Sequence, residues 1–229
     1  IDEVIMGNVL SAGQGQAPAR QASILAGLGD QTPATTINKM CGSGMKTAIM
    51  GCNHLMDSDT DILVCGGMES MSNSPYLVPK ARSGLRLGHG SLLDHMFLDG
   101  LEDAYDRGRL MGTFAEDCAE KFQFTREDQD SYALESLERA ISFEKCGNTK
   151  NEIVPVSRTI RKEKVVTDRD EQPVNARPEK IPNLKPAFRD GGTLTAANSS
   201  SISDGASALV LMREKEMLRR GLNCEARIV

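Results

Sequence analysis

Cys41 stands in the run Cys41-Gly42-Ser43-Gly44, between a short β-branched-rich stretch, Thr35 to Met40, and a helical pattern through Met45, Ala48, Ile49 and Cys52. Strand, tight turn and helix in that order put the sulfur at the positive N-terminal end of the helix, beside backbone N–H groups with no intrahelical partner. Such a field favours the thiolate, and the same N–H groups can hold the oxyanion of a tetrahedral intermediate. Together these are the needs of acyl transfer through a covalent intermediate. A buried structural cysteine is the competing reading and, on the residues alone, carries equal weight.

The remaining cysteines, at 52, 65, 118, 146 and 224, fall on apolar helix faces, in a buried strand or near element ends. No CxxC pair or Cys/His cluster has metal-ligand spacing, so neither a metal nor a disulfide framework is expected. His54, His89 and His95 could each act as a base, but His54 closes a helix and the others sit in irregular sequence, where structural or solvated roles are the expectation. Arg158, Arg161, Lys162 and Lys164, with Lys80, Arg82 and Arg86, gather positive charge that could meet a ligand phosphate or simply face solvent.

Positioning these side chains requires a framework. Apolar spacing from Gln16 to Leu28 predicts a first helix ended by Gly29, and Ile62 to Cys65, before Gly66-Gly67, predicts a strand buried on both faces. Alternating strands and helices indicate an α/β domain. From about Ser70 to Gly112 the composition turns to Ser, Pro, Gly and basic residues, which reads as an inserted region. Thr125 and Asp128 have capping-box spacing ahead of a long helix closed by Gly147, and Pro173, Pro178, Pro182 and Pro186 break up a charged, extended connection. Leu194 to Ala197 and Ala206 to Met212 predict strands on either side of a loop, a short helix spans Arg213 to Gly221, and Ala226 to Val229 reads as a further strand.

Bulk properties exclude several classes. A chain of 229 residues with 39% hydrophobic content and a net charge of -5 suits a soluble globular protein with no overall attraction to nucleic acid. No apolar run approaches the length of a membrane-spanning helix, and the opening residues lack the pattern of a secretory signal. Scattered free thiols then point to a cytoplasmic setting.

Ile37 to Gly44, Gly66-Gly67-Met68-Glu69-Ser70-Met71-Ser72 and Asp204-Gly205-Ala206, in that order, resemble the thiolase family, in particular its bacterial acetyl-CoA acetyltransferase branch. The likeness also runs through Asp99-Gly100-Leu101, Met111 to Glu116 and Thr195 to Asn198. It implies a layered αβα half-fold formed by 1–70 and 201–229, with 71–200 as an inserted α+β loop domain serving CoA binding and oligomerisation. The chain then corresponds to the middle of a thiolase, without the opening strand and helix and without the second half of the duplicated fold.

The resemblance further implies that Cys41 accepts an acetyl group from acetyl-CoA and passes it to a second acetyl-CoA, giving acetoacetyl-CoA and CoA, reversibly. CoA contacts carry over to Leu101, Met111 and Ser200, and to Lys185 where the family often has Arg, a change that keeps the charge but loses the planar stacking surface. CoA thioesters are then substrates, with no resident cofactor, and the intact protein is a homotetramer. The family's Gly-His-Pro and Asn-Glu-Ala-Phe segments do not occur here. Alternatives are a degradative thiolase of broader chain length, a β-ketoacyl synthase, which the Cys-Gly-Ser-Gly run and the insert disfavour, and a non-catalytic CoA-binding or assembly fragment.

Overall fold

The computed structural model describes residues 1–57 and 59–229, and of Ile160 the backbone only. Along the chain run β1 (Glu3–Gly7), α1 (Pro18–Leu25), β2 (Ala34–Ile37), α2 (Ser43–Asp57), β3 (Ile62–Ser70) and the two-residue strands β4 (Tyr76–Leu77) and β5 (Leu93–Asp94). Then follow α3 (Met111–Phe122), α4 (Arg126–Lys145), β6 (Val156–Ile160), β7 (Glu163–Thr167), α5 (Glu171–Asn175), β8 (Asp204–Met212) and α6 (Glu214–Arg219). Contacts divide the chain into two compact units, Ile1–Arg109 with Ile202–Val229, and Leu110–Ser201.

The first unit is built on one sheet of order β2-β1-β3-β8, parallel except for β8, which pairs antiparallel with β3 from Ile62↔Met212 to Ser70↔Asp204. Alternation along β1 sends Val4 and Met6 to one face, against Ala19 of α1, and Ile5 to the other, against Leu63 and Cys65. Met50 and Leu55 of α2 cover that second face. One helix per face gives the layered αβα arrangement, and each fully buried side chain such as Ile5 or Leu63 contributes roughly 1.5–3 kcal/mol. Gly51 lets α2 approach closely, since a Cβ there would lie 2.5 Å from Cys65 Sγ. Burial pushes the Cys65 thiol up to about 11, with Cys52 and Glu3 adding to the effect.

Local signals explain where these elements begin. Pro18 occupies the first turn of α1, where its missing N–H costs nothing. Ala17 offers no capping oxygen, so Thr36 Oγ1 on β2 accepts the Ala19 N–H at 3.0 Å.

Residues 71–109, placed in the insert by composition, stay with the first unit. Asp204 at the start of β8 accepts from both the N–H and the hydroxyl of Ser72, and the hydrogen bonds from Ser72 hold its carboxyl below the usual range. Gly100 sits against Leu10, whose Cδ2 would be 3.3 Å from an added Cβ.

The second unit carries α3, α4, the β6–β7 hairpin and α5. The expected capping box forms: Thr125 Oγ1 accepts the Asp128 N–H at 3.0 Å and Asp128 accepts the Thr125 N–H at 3.1 Å. The charged connection holds α5 and a 3₁₀ turn at Pro178–Asn183 rather than remaining extended. No strand forms at 194–197. The Leu194 N–H goes to the Glu116 carboxylate at 2.9 Å and the Thr195 N–H to Asn198 Oδ1 at 2.7 Å, so side chains close a turn where a ladder was expected. Residues 226–229 are likewise outside any regular element. No helix among the described residues is long and apolar enough to cross a membrane.

Candidate active site

Between β2 and α2 the chain reverses through residues 39–43. The Gly42 N–H bonds Lys39 O at 3.2 Å and the Ser43 N–H bonds Met40 O at 3.0 Å, closing two successive tight turns ahead of the helix. Met40 has φ of 51°, in the left-handed region that non-glycine residues avoid at about 1–3 kcal/mol. Local acceptors support this conformation: Asn38 Oδ1 takes the Met40 N–H at 2.9 Å, and Ser43 Oγ takes the Lys39 N–H at 2.8 Å. The result is an exposed Cys41 side chain at the mouth of α2, held by a stiff turn.

Cys41 lines a cavity of about 510 Å³ in the first unit. Val9, Leu10, Met68, Met71 and Leu101 supply its apolar wall, with Gly7, Gly44 and Gly67 letting backbone close in beneath the turn. Glu69 fixes part of that wall. Its carboxylate accepts the Val9 and Leu10 N–H groups, each at 2.9 Å, and Asn8 Nδ2 at 3.1 Å. Leu101 arrives from the other side, at the end of a π-type turn over Phe97–Leu101.

Cys41 and Glu69 are the ionisable residues of the cavity lining, and Glu69 is already occupied by three N–H donors. None of the histidines joins them. His54 lies near the far end of α2 and pairs with Glu3 Oε2 at 2.8 Å, and His89 is exposed. His95 is buried, its Nδ1 2.6 Å from Asp99 Oδ2 and its Nε2 accepting the Ala12 N–H at 3.4 Å. The site can therefore present a sulfur nucleophile to an electrophilic carbonyl inside an apolar pocket, but a base for any later proton transfer is not among the lining residues.

Of the CoA-contact residues suggested by resemblance, Leu101 shares the cavity with Cys41. Met111, Lys185 and Ser200 belong to the second unit, where Met111 opens α3 and the other two are exposed. Ser200 follows a loop held by buried polar groups: Glu116 accepts from Thr193 and Leu194, while Asn198 Nδ2 donates to Asp130 Oδ1 at 3.0 Å. Asp130 in turn pairs with Arg126 at 2.7 Å. Burial alone would raise the Glu116 pKa, but the bonds from the Thr193 and Leu194 amides and the Thr193 hydroxyl outweigh it and leave the carboxyl lowered. Among the described residues no group of His, Cys, Asp and Glu could hold a metal ion.

Ser43, Glu69 and Gly7 received no role from sequence. Ser43 had a readable signal, a hydroxyl at the start of a helix. Glu69 had none, since Val9 and Leu10 lie about sixty positions away.

Comparison with known proteins bears on the chemistry. The sequence model described as the N-terminal domain of thiolase matches residues 1–215. An acetyl-CoA acetyltransferase of Pseudomonas aeruginosa is 47% identical over 230 residues, covering 100% of this chain and 58% of that relative. Acetyl-CoA acetyltransferase 2 of Arabidopsis thaliana is 48% identical over 232 residues, covering 100% and 57%. The crystal structure of the Acat5 thiolase from Ascaris suum in complex with coenzyme A superposes with a TM-score of 0.88 at 42% identity, over 97% of this chain and 56% of that one. The acetyl-CoA acetyltransferase from Syntrophomonas wolfei gives a TM-score of 0.89 at 40% identity, over 97% and 56%. The chain thus spans a little over half the length of the proteins it matches.

Proposed function

Because the chain belongs to the thiolase family, matching its N-terminal domain, we propose that Cys41 is the acyl-accepting nucleophile of an enzyme that exchanges acetyl groups between CoA thioesters. The observation that carries this reading is the placement of an exposed thiol on a left-handed turn at the start of α2, facing an apolar cavity. In the first step the Cys41 sulfur attacks the thioester carbonyl of acetyl-CoA, the bond to Cys41 forms, and the bond to CoA breaks with CoA leaving as a thiolate that takes up a proton. In the second, the α-carbon of another acetyl-CoA gives up a proton and attacks the acyl carbon, expelling the Cys41 thiolate and forming acetoacetyl-CoA. The first step asks for a nucleophile, the role proposed for Cys41, and for N–H donors to the oxyanion; the Gly42 and Ser43 amides are already bonded within the turn. The second also asks for a base, which has to come from outside the cavity lining.

CoA binding through Leu101, Met111, Lys185 and Ser200 is part of the same proposal, as is assembly of the intact protein into a homotetramer. A degradative role on longer 3-ketoacyl chains is the second reading. The unbranched side chains of Met40, Met68 and Met71 favour it, since thioethers repack around chains of different length.

Mass spectrometry of the folded chain after incubation with acetyl-CoA tests the central assignment. A single acetyl group on the peptide containing Cys41, with an equal amount of free CoA and no gain in Cys41→Ala, is the expected result. Acetylation that persists in Cys41→Ala, or none at Cys41, overturns it.

A further inference from the structure

We propose that Ser43 is a positioning residue, whose hydroxyl holds Met40 in its left-handed conformation and thereby aims Cys41 into the cavity; this rests on the reading of Cys41 as nucleophile. Ser43 is 5% exposed. Its Oγ accepts the Lys39 N–H at 2.8 Å and donates to Met40 O at 2.6 Å, so both of its hydrogen-bonding roles are spent inside the turn. The Ser43 N–H reaches the same Met40 carbonyl at 3.0 Å. One residue thus ties the Asn38–Lys39 peptide unit to the Met40–Cys41 unit and closes the segment within which Met40 takes φ of 51°.

The grip is anchored from below. A Cβ on Gly7 would lie 2.6 Å from Ser43 Cβ, so Ser43 packs directly on the end of β1. Asn38 restrains the turn from outside, where it is exposed to water. Ser43, buried, is the stronger of the two constraints because water does not compete for its bonds. With its proton committed to Met40 O and a lone pair to the Lys39 N–H, the hydroxyl acts on the reaction through the turn and not on the reacting atoms.

The test compares Ser43→Ala, Met40→Gly and the double variant for the rate at which acetyl-CoA acetylates Cys41. Protection of buried Cys65 in the first unit from iodoacetamide, read by mass spectrometry in the same samples, serves as a folding control. Ser43→Ala is expected to slow Cys41 acetylation roughly tenfold or more while Cys65 stays as protected as in the parent. Glycine adopts a left-handed φ without penalty, so adding Met40→Gly should restore most of the lost rate. A folded Ser43→Ala that acetylates at the parental rate, or a loss that Met40→Gly does not relieve, overturns the proposal. If Ser43→Ala alone does not fold, the comparison is made within Met40→Gly, where Ser43→Ala should be nearly silent and a tenfold loss would overturn it. Failure of the parent chain to acetylate Cys41 at all strikes the nucleophile assignment instead, so the two failures are distinct.

Discussion

A Cβ on Gly7 would stand 2.6 Å from Ser43 Cβ and 2.9 Å from the Gly44 nitrogen, closer than carbon meets carbon or nitrogen in folded proteins. Since the second of these is backbone, no rotamer change relieves it, and α2 has to move. Gly7→Ala should destabilise the first unit by about 1–3 kcal/mol and slow Cys41 acetylation, measured as a lower urea midpoint and a reduced rate on the same protein. At this scale the site was half legible. Cys41 announces itself because its partners in the turn are its sequence neighbours, Asn38 to Gly44. Glu69 does not, because the amides it holds at Val9 and Leu10 come from the other end of a strand crossing that no local pattern records. His95 takes the structural one of the two roles expected for it, buried with Asp99 and the Ala12 amide on its ring nitrogens.

Elements were read well where their signals are local. The Thr125–Asp128 box and the Gly147 stop bracket α4 as expected, because capping is a matter of neighbouring residues. The segment 194–197 was misread for the opposite reason. Its residues suit a strand, yet Glu116, distant in sequence, takes the amide that a ladder would have used. The β6–β7 hairpin presents a different case. Its register, Ile160↔Glu163, leaves Arg161 and Lys162 as the central pair of the turn, with φ of 48° and 74°. Two positive φ values in a two-residue loop describe the turn that Asn-Gly fills best. Replacing the pair, Arg161→Asn with Lys162→Gly, should raise the stability of the second unit by about 1 kcal/mol, seen as a higher urea midpoint. A lower midpoint would mean that these basic side chains hold the hairpin by contacts of their own.

Taken as a whole, the molecule is two units, each with carboxyl groups whose pKa the fold lowers. In the second, Glu116 is a buried carboxylate whose pKa is lowered by the amides it caps, so it binds protons less readily folded than unfolded. Its contribution is therefore complete above the ordinary glutamate value of 4.5 and disappears as the pH falls through the lower folded value. The second unit should lose stability as the pH falls below about 4.5, and Glu116→Gln should lower the urea midpoint at neutral pH while flattening that slope. An unchanged slope would place the acid sensitivity elsewhere. The α/β alternation that builds the first unit was visible in sequence because hydrophobic period reports it directly; its boundary at Arg109 was not, because the ties of Ser72 to Asp204 and of Leu10 to Gly100 are made only in three dimensions. Cys65 lies at the centre of that unit, fully buried on the strand between β1 and β8, with its thiol pushed to about 11. A reagent that modifies the surface thiols at once can reach this sulfur only when the sheet comes apart, so the slow phase of its labelling is a stopwatch for the opening of the native fold.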